Sequence, residues 1–127
     1  MERKKTIRHF RDLEVYQRAF AAAMEIFQIT KQFPANEKYS LVDQIRRSSR
    51  SVCSCIAEAW RKRKYTAVFT NKLTDAMQEG SETQCWLEFS DFCGYINKEV
   101  FNRLDIEYEH IVGMLMAMEK KAETFCY

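Results

Sequence analysis

One proline, Pro34, and three glycines, Gly80, Gly94 and Gly113, are the only strong chain-breakers in 127 residues, so the chain has few places to turn. Average proteins spend about 7 % of their residues on glycine and about 5 % on proline, the residues that most readily supply tight-turn geometry. The elements between so few breaks must be long. Strands average about 5–6 residues and helices about twice that, so long elements point to an all-α protein.

The spacing of apolar residues agrees. From Leu13 they return at Tyr16, Phe20, Ala23 and Phe27 and on to Phe33, along one face of a helix that Asp12 is placed to cap. Val15, Ala19, Ala22, Ile26 and Ile29 form a second row, and a stripe this wide calls for two neighbours. Pro34 disfavours helical backbone in the residue before it, and Asn36 can cap a second helix with core positions Val42, Ile45, Ser49, Val52, Ile56 and Ala59. The basic run Arg61, Lys62, Arg63 and Lys64 makes the next connection. Tyr65, Phe69, Leu73, Ala76, Gly80, Thr83 and Leu87 mark a third helix with Gly94 as its C-terminal cap. Gly80 inside it costs about 1 kcal/mol relative to alanine, and close backbone packing is the best physical reason for it. Asn97 caps a fourth helix, along which Phe101, Leu104, Tyr108, Ile111, Leu115, Met118 and Ala122 keep a three-and-four rhythm. The expectation is one domain over residues 1–127, with helices over 12–33, 37–61, 65–93 and 97–123. Short connections force neighbouring helices to run antiparallel, which gives an up-down four-helix bundle.

A net charge of +2 excludes a polycation that coats nucleic acid indiscriminately, so any functional charge must be local. No apolar run approaches the roughly 20 residues of a membrane span, and the basic opening Met1 to Lys5 leads into no hydrophobic signal segment. A soluble, cytoplasmic protein without a membrane partner is expected. Five cysteines, Cys53, Cys55, Cys85, Cys93 and Cys126, are an odd set with no C-x-x-C pair. They read as free thiols in a reducing compartment, with Cys53, Cys85 and Cys93 as small packing residues.

Enzyme templates find little to use. Glu107 and His110 have half of the Glu-x-x-His pattern of di-metal bundles, but Thr6 stands three residues before His9, so the second copy is missing. Cys53 and Cys55 point to opposite sides of a helix and cannot share an ion, and no glycine-rich phosphate loop occurs. The chain reads as a non-enzyme without metal or cofactor. What remains is charge: Arg46, Arg47 and Arg50; Arg61, Lys62, Arg63 and Lys64; and Arg3, Lys4, Lys5, Arg8 and Arg11 in the leading arm. The fourth helix carries the opposite sign at Glu99, Asp105, Glu107 and Glu109. Such clusters are either solvated faces, with cations offsetting a helix C-terminus, or contacts to phosphates beside which Trp60 and Tyr65 stack on unpaired bases, although an aromatic at a helix end is more often a core plug.

The run from Phe10 to Gln17, Phe33-Pro34 with Glu37 and Tyr39, the run from Leu41 to Arg47, Ser51-Val52, the run from Ile56 to Glu58, and Gly80 to Glu82 together resemble a known family. It comprises the four-helix-bundle proteins first named from open reading frames within intervening sequences of bacterial 23S ribosomal RNA. The likeness runs over nearly the whole chain and is specific in order and spacing. It implies an up-down bundle, commonly a homopentameric ring, with no enzymatic activity. A related branch, the accessory proteins of diversity-generating retroelements, implies association with RNA or DNA and with a reverse transcriptase. Gln44, Arg46 and Arg47 match the family's Gln-Ile-Arg-Arg segment, and Glu58 the acid of its Asn-Ile-Ala-Glu-Gly segment. Cys55 replaces the asparagine and Ala59 the glycine of that pattern, so the second helix is expected to run on into Trp60. The Arg46-Arg47 pair has two readings, a nucleic-acid contact or a structural bridge to a carboxylate on a neighbouring helix or subunit. The leading functional expectation is a non-enzymatic oligomeric module that binds nucleic acid or a ribonucleoprotein through Arg46, Arg47, Arg50, Arg61, Lys62, Arg63 and Lys64. The alternative is an oligomeric protein adaptor, whose many Met and aromatic residues would provide adaptable contact area.

Overall fold

The computed structural model describes residues 6–127, so Arg3, Lys4 and Lys5 of the leading arm lie outside it. A 3₁₀ turn over Phe10–Asp12 leads into α1 (Glu14–Thr30), and a second turn over Ala35–Glu37 leads to α2 (Leu41–Arg61). Then come α3 (Thr66–Phe92), α4 (Lys98–Lys120) and the single turn α5 (Ala122–Phe125). The four long helices pack against one another up and down, and no strand occurs among the described residues.

The stripes read from spacing form the core. Ile45, Val52, Ile56 and Ala59 of α2 meet Phe69, Leu73, Ala76 and Leu87 of α3, and Leu104, Tyr108, Ile111 and Leu115 of α4 close over them. Burying each large aliphatic side chain stabilises by about 1.5–3 kcal/mol, which outweighs the modest helix propensities of the β-branched residues. Among the polar residues in this core, the Thr83 hydroxyl donates to Ser48 Oγ at 2.8 Å, so α2 and α3 are joined by a satisfied pair. The close packing at Gly80 comes from a side chain, since a Cβ there would lie 3.3 Å from Cγ2 of Val112 on α4. Gly94 has φ +77° and ends α3, and the next N–H, that of Tyr95, bonds back to the Ser90 carbonyl at 2.9 Å. Asn97 caps α4 by accepting from the Val100 N–H at 2.8 Å.

Four expectations give way to local competition. Asp12 does not cap α1; its carboxylate takes the N–H groups of Arg8 and His9, both at 3.0 Å, and α1 starts after Leu13 with no side-chain cap. At its other end α1 stops at Thr30 rather than Phe33. There the Thr30 hydroxyl donates to the Ile26 carbonyl at 2.7 Å and accepts from Arg46 Nε at 2.9 Å. Asn36 does not cap α2, because it lies within the 3₁₀ turn over Ala35–Glu37; Glu37 is held by hydroxyl donors from Ser40 at 2.6 Å and Tyr95 at 2.8 Å, and α2 starts only at Leu41. The fourth helix breaks at Lys121, and Ala122 is buried from the following turn.

Candidate functional site

Antiparallel packing gathers one end of the bundle from four distant parts of the chain: the start of α1, the end of α2, the start of α3 and the end of α4. The basic segments sit on those ends. Arg8 and Arg11 flank the first turn, Arg61, Lys62, Arg63 and Lys64 form the α2–α3 connection, and Lys120 and Lys121 end α4. All but Arg63 are exposed. Contacts tie the parts together: Nη2 of Arg61 lies 3.4 Å from Nε2 of His9, and the Tyr127 N–H donates to the Arg63 carbonyl at 3.4 Å. Phe125 of α5 stacks on Phe69 of α3 with ring centroids 6.0 Å apart, which fixes the C-terminal turn against this end. Tyr65 and Tyr127 are exposed beside the cations, 54 % and 80 % respectively.

Within this pole the residues divide by task. The Arg63 guanidinium lies 3.6 Å over the Trp60 ring and its Nε donates to the Trp60 carbonyl at 2.8 Å, so Arg63 seals the end of α2. Trp60, a stacking ring on one reading and a core plug on the other, is the core plug, only 4 % exposed. Arg61, Lys62 and Lys64 are the members of the run left facing solvent.

The other expected cluster stands apart. Arg50 is about 16 Å from Arg61 along the axis of α2, at 1.5 Å per residue. Arg46 donates through Nη2 to the Phe27 carbonyl at 3.3 Å and through Nε to Thr30, and its guanidinium lies 4.8 Å over the Phe27 ring. It therefore occupies carbonyl and hydroxyl groups at the C-terminal end of α1, a structural bridge made to a helix terminus and not to a carboxylate. Arg47 pairs with Asp43 one turn earlier at 3.1 Å. Arg50 is exposed at the rim of the groove between α1 and α2, with Phe27 5.8 Å away.

Lys120, Lys121 and Tyr127 are additions that spacing within one helix did not indicate. The available signal was topological: in an up-down bundle the ends of the second and fourth helices share a pole. Cys53 is buried and its thiol is pushed up to about 11 by burial, as a packing residue should be. Cys85 and Cys93, also expected as packing residues, are exposed, because Cys85 lies outside the stripe of α3 that meets α2 and α4 and Cys93 sits just past the end of that helix. Among the described residues no group of His, Cys, Asp and Glu has the arrangement to hold a metal ion; Glu107 instead pairs with Arg18 at 2.6 Å, and His110 Nδ1 lies 3.3 Å from the same guanidinium. No helix among them is long and apolar enough to cross a membrane.

Two comparisons place the chain. The family model described as 23S rRNA-intervening sequence protein matches residues 11–117. A solved structure from Bacteroides thetaiotaomicron, described as a protein of unknown function from the S23 ribosomal protein family, is similar with a TM-score of 0.75 and 29 % identity. That likeness covers 84 % of this chain and 95 % of the other. A search of curated proteins finds no match.

Proposed function

Because the chain belongs to the 23S rRNA-intervening sequence protein family, we propose that it is a non-enzymatic, oligomeric binding module that associates in the cytoplasm with nucleic acid or a ribonucleoprotein through its basic pole. The observation that carries this reading is the convergence of Arg8, Arg11, Arg61, Lys62, Lys64, Lys120 and Lys121 at one end of the bundle, with Tyr65 and Tyr127 exposed between them. Arginine forks and lysines supply phosphate contacts, and exposed phenol rings supply stacking surfaces for unpaired bases. A pole of this kind works despite a net charge of only +2, because phosphate contacts are local.

The test is binding of fluorescent single-stranded RNA, duplex DNA and structured ribosomal RNA by anisotropy across a salt series. Affinity should fall steeply with log salt. R61E/K62E/K64E should weaken binding at least tenfold and flatten that slope, by about one for each phosphate contact removed. R46M serves as the control, since it removes a cation already committed to α1 and should lower stability while leaving the slope unchanged. Wild-type slope and affinity in the triple variant would take the pole out of the site.

A second reading, the protein adaptor, has its own observation at the opposite end of the molecule. There Tyr39, Phe89 and Phe92 are 85 %, 54 % and 83 % exposed, and aromatic side chains of this kind anchor protein interfaces. Absence of nucleic-acid binding even at about 50 mM salt, together with a pull-down partner that survives nuclease, would favour it.

A further inference from the structure

The groove between α1 and α2 is apolar and open. Phe10, Tyr16, Phe20, Ala23, Met24 and Cys53 line about 370 Å³, with Phe20 51 % and Met24 45 % exposed. Its rim on α2 is cationic at the exposed Arg50. A different side of the same molecule presents the converse surface. On the outward face of α4, Ile106 is 55 % and Met116 49 % exposed, with Gly113 between them, and Asp105 and Glu109 add negative charge alongside.

Gly113 is the pointed feature. Gly80 is explained by Val112, whereas a Cβ on Gly113 would meet nothing within 4 Å, so nothing within the described chain accounts for an exposed glycine inside a helix. Such a glycine sacrifices about 0.5–1 kcal/mol of helix stability and permits another element to approach the backbone closely. From these surfaces we infer that a second copy of this chain seats the outward ridge of its α4 in the α1–α2 groove. Ile106 and Met116 of the ridge cover Phe20 and Met24, bare backbone at Gly113 admits the close approach, and Asp105 and Glu109 face Arg50. Groove and ridge are different patches, so the contact is heterologous and repeats from copy to copy until the rotation closes a ring. This deepens, and rests on, the oligomeric part of the proposed function.

The test is sedimentation equilibrium on the full chain, with circular dichroism to confirm folding. A groove variant, F20Q/M24Q, changes side chains already half exposed, and a ridge variant, G113Q/M116Q, replaces the glycine by a better helix former. Each alone should be monomeric, the ridge variant while melting no lower than a monomeric reference such as the groove variant. Mixed in equal amounts they should form a 1:1 dimer and nothing larger, because one intact groove meets one intact ridge. R50E should weaken wild-type assembly at least tenfold, and R50E/E109R should restore it. Variants that keep the wild-type mass, or a mixture that stays monomeric, would overturn the groove-and-ridge pairing. A wild-type chain that is itself monomeric would instead remove the oligomeric reading beneath it.

Discussion

Tyr108 carries an unusual polar atom for so apolar a core. The side chain is 0 % exposed and its hydroxyl has no hydrogen-bond partner among the described residues, while Thr83 and Ser48, also buried, satisfy each other. Burial pushes the phenol above its ordinary value, with the Cys53 and Glu107 side chains adding to the effect. An unpaired buried hydroxyl is a cost that the aromatic ring's packing must offset. Tyr108→Phe keeps the ring and removes that atom, and should therefore leave stability unchanged or raise it by about 1 kcal/mol, read from urea denaturation. A loss of similar size would show that the hydroxyl is bonded to an ordered water.

The four helices are not joined alike. α2 and α3 meet through Ile, Leu and small residues, whereas α1 adds two ion pairs to its apolar packing against α4: Arg18 pairs with Glu107, and Arg103 forms a forked contact with Glu25. Hydrogen bonding from Arg103 holds the Glu25 carboxyl below its ordinary value near 4.5 and outweighs the opposing effect of burial. An acid whose pKa is lower folded than unfolded stabilises above the unfolded value and loses that contribution as pH falls through the folded one. The α1–α4 seam should therefore weaken in acid. Thermal unfolding followed from pH 7 downward should show the midpoint falling below about pH 4.5, and Glu25→Gln should make that fall shallower while slightly lowering stability at neutral pH. An identical acid profile in the variant would show that other carboxylates govern the response. Glu37 is a second such carboxylate, held low by the hydroxyls of Ser40 and Tyr95; the same bond pushes the Tyr95 phenol up to about 12.

In the proposed assembly each bundle would bring one basic pole, so a ring would multiply a patch that is modest alone. Linked contacts raise affinity far beyond that of a single site, provided that one nucleic acid reaches several poles. A folded monomer made by the groove or ridge substitutions keeps every cation of the pole. It should nevertheless bind long structured RNA at least tenfold more weakly than the parent at equal salt, and with a smaller salt slope, in the same anisotropy assay. A short oligonucleotide that spans a single pole should hardly distinguish the two. Equal affinity for both RNAs would mean that one pole suffices.

The helices themselves were legible in the sequence because helical spacing is local: Val42 to Ala59, Phe69 to Leu87 and Leu104 to Met118 each mark their own face, and Gly94 and Asn97 mark ends through their own backbone and side-chain chemistry. Caps that face rivals were less legible. Asp12 is taken by donors a few residues away, Asn36 lies within a 3₁₀ turn, and the end of α1 depends on Arg46, which reaches it from another helix. The same limit governed the candidate site. Charge and residue type singled out Arg46, Arg47 and Arg50 together with the run from Arg61 to Lys64. Helix rise alone sets the two sets about 16 Å apart along α2, but only packing committed Arg46 to the end of α1, buried Trp60 and brought Lys120, Lys121 and Tyr127 to the basic pole. Periodicity is written in neighbours three and four residues apart, so a single chain segment suffices to read it. Which side of a segment meets solvent, and which distant charges share a surface, are set by contacts between residues far apart in the chain, and those exist only once the bundle has formed.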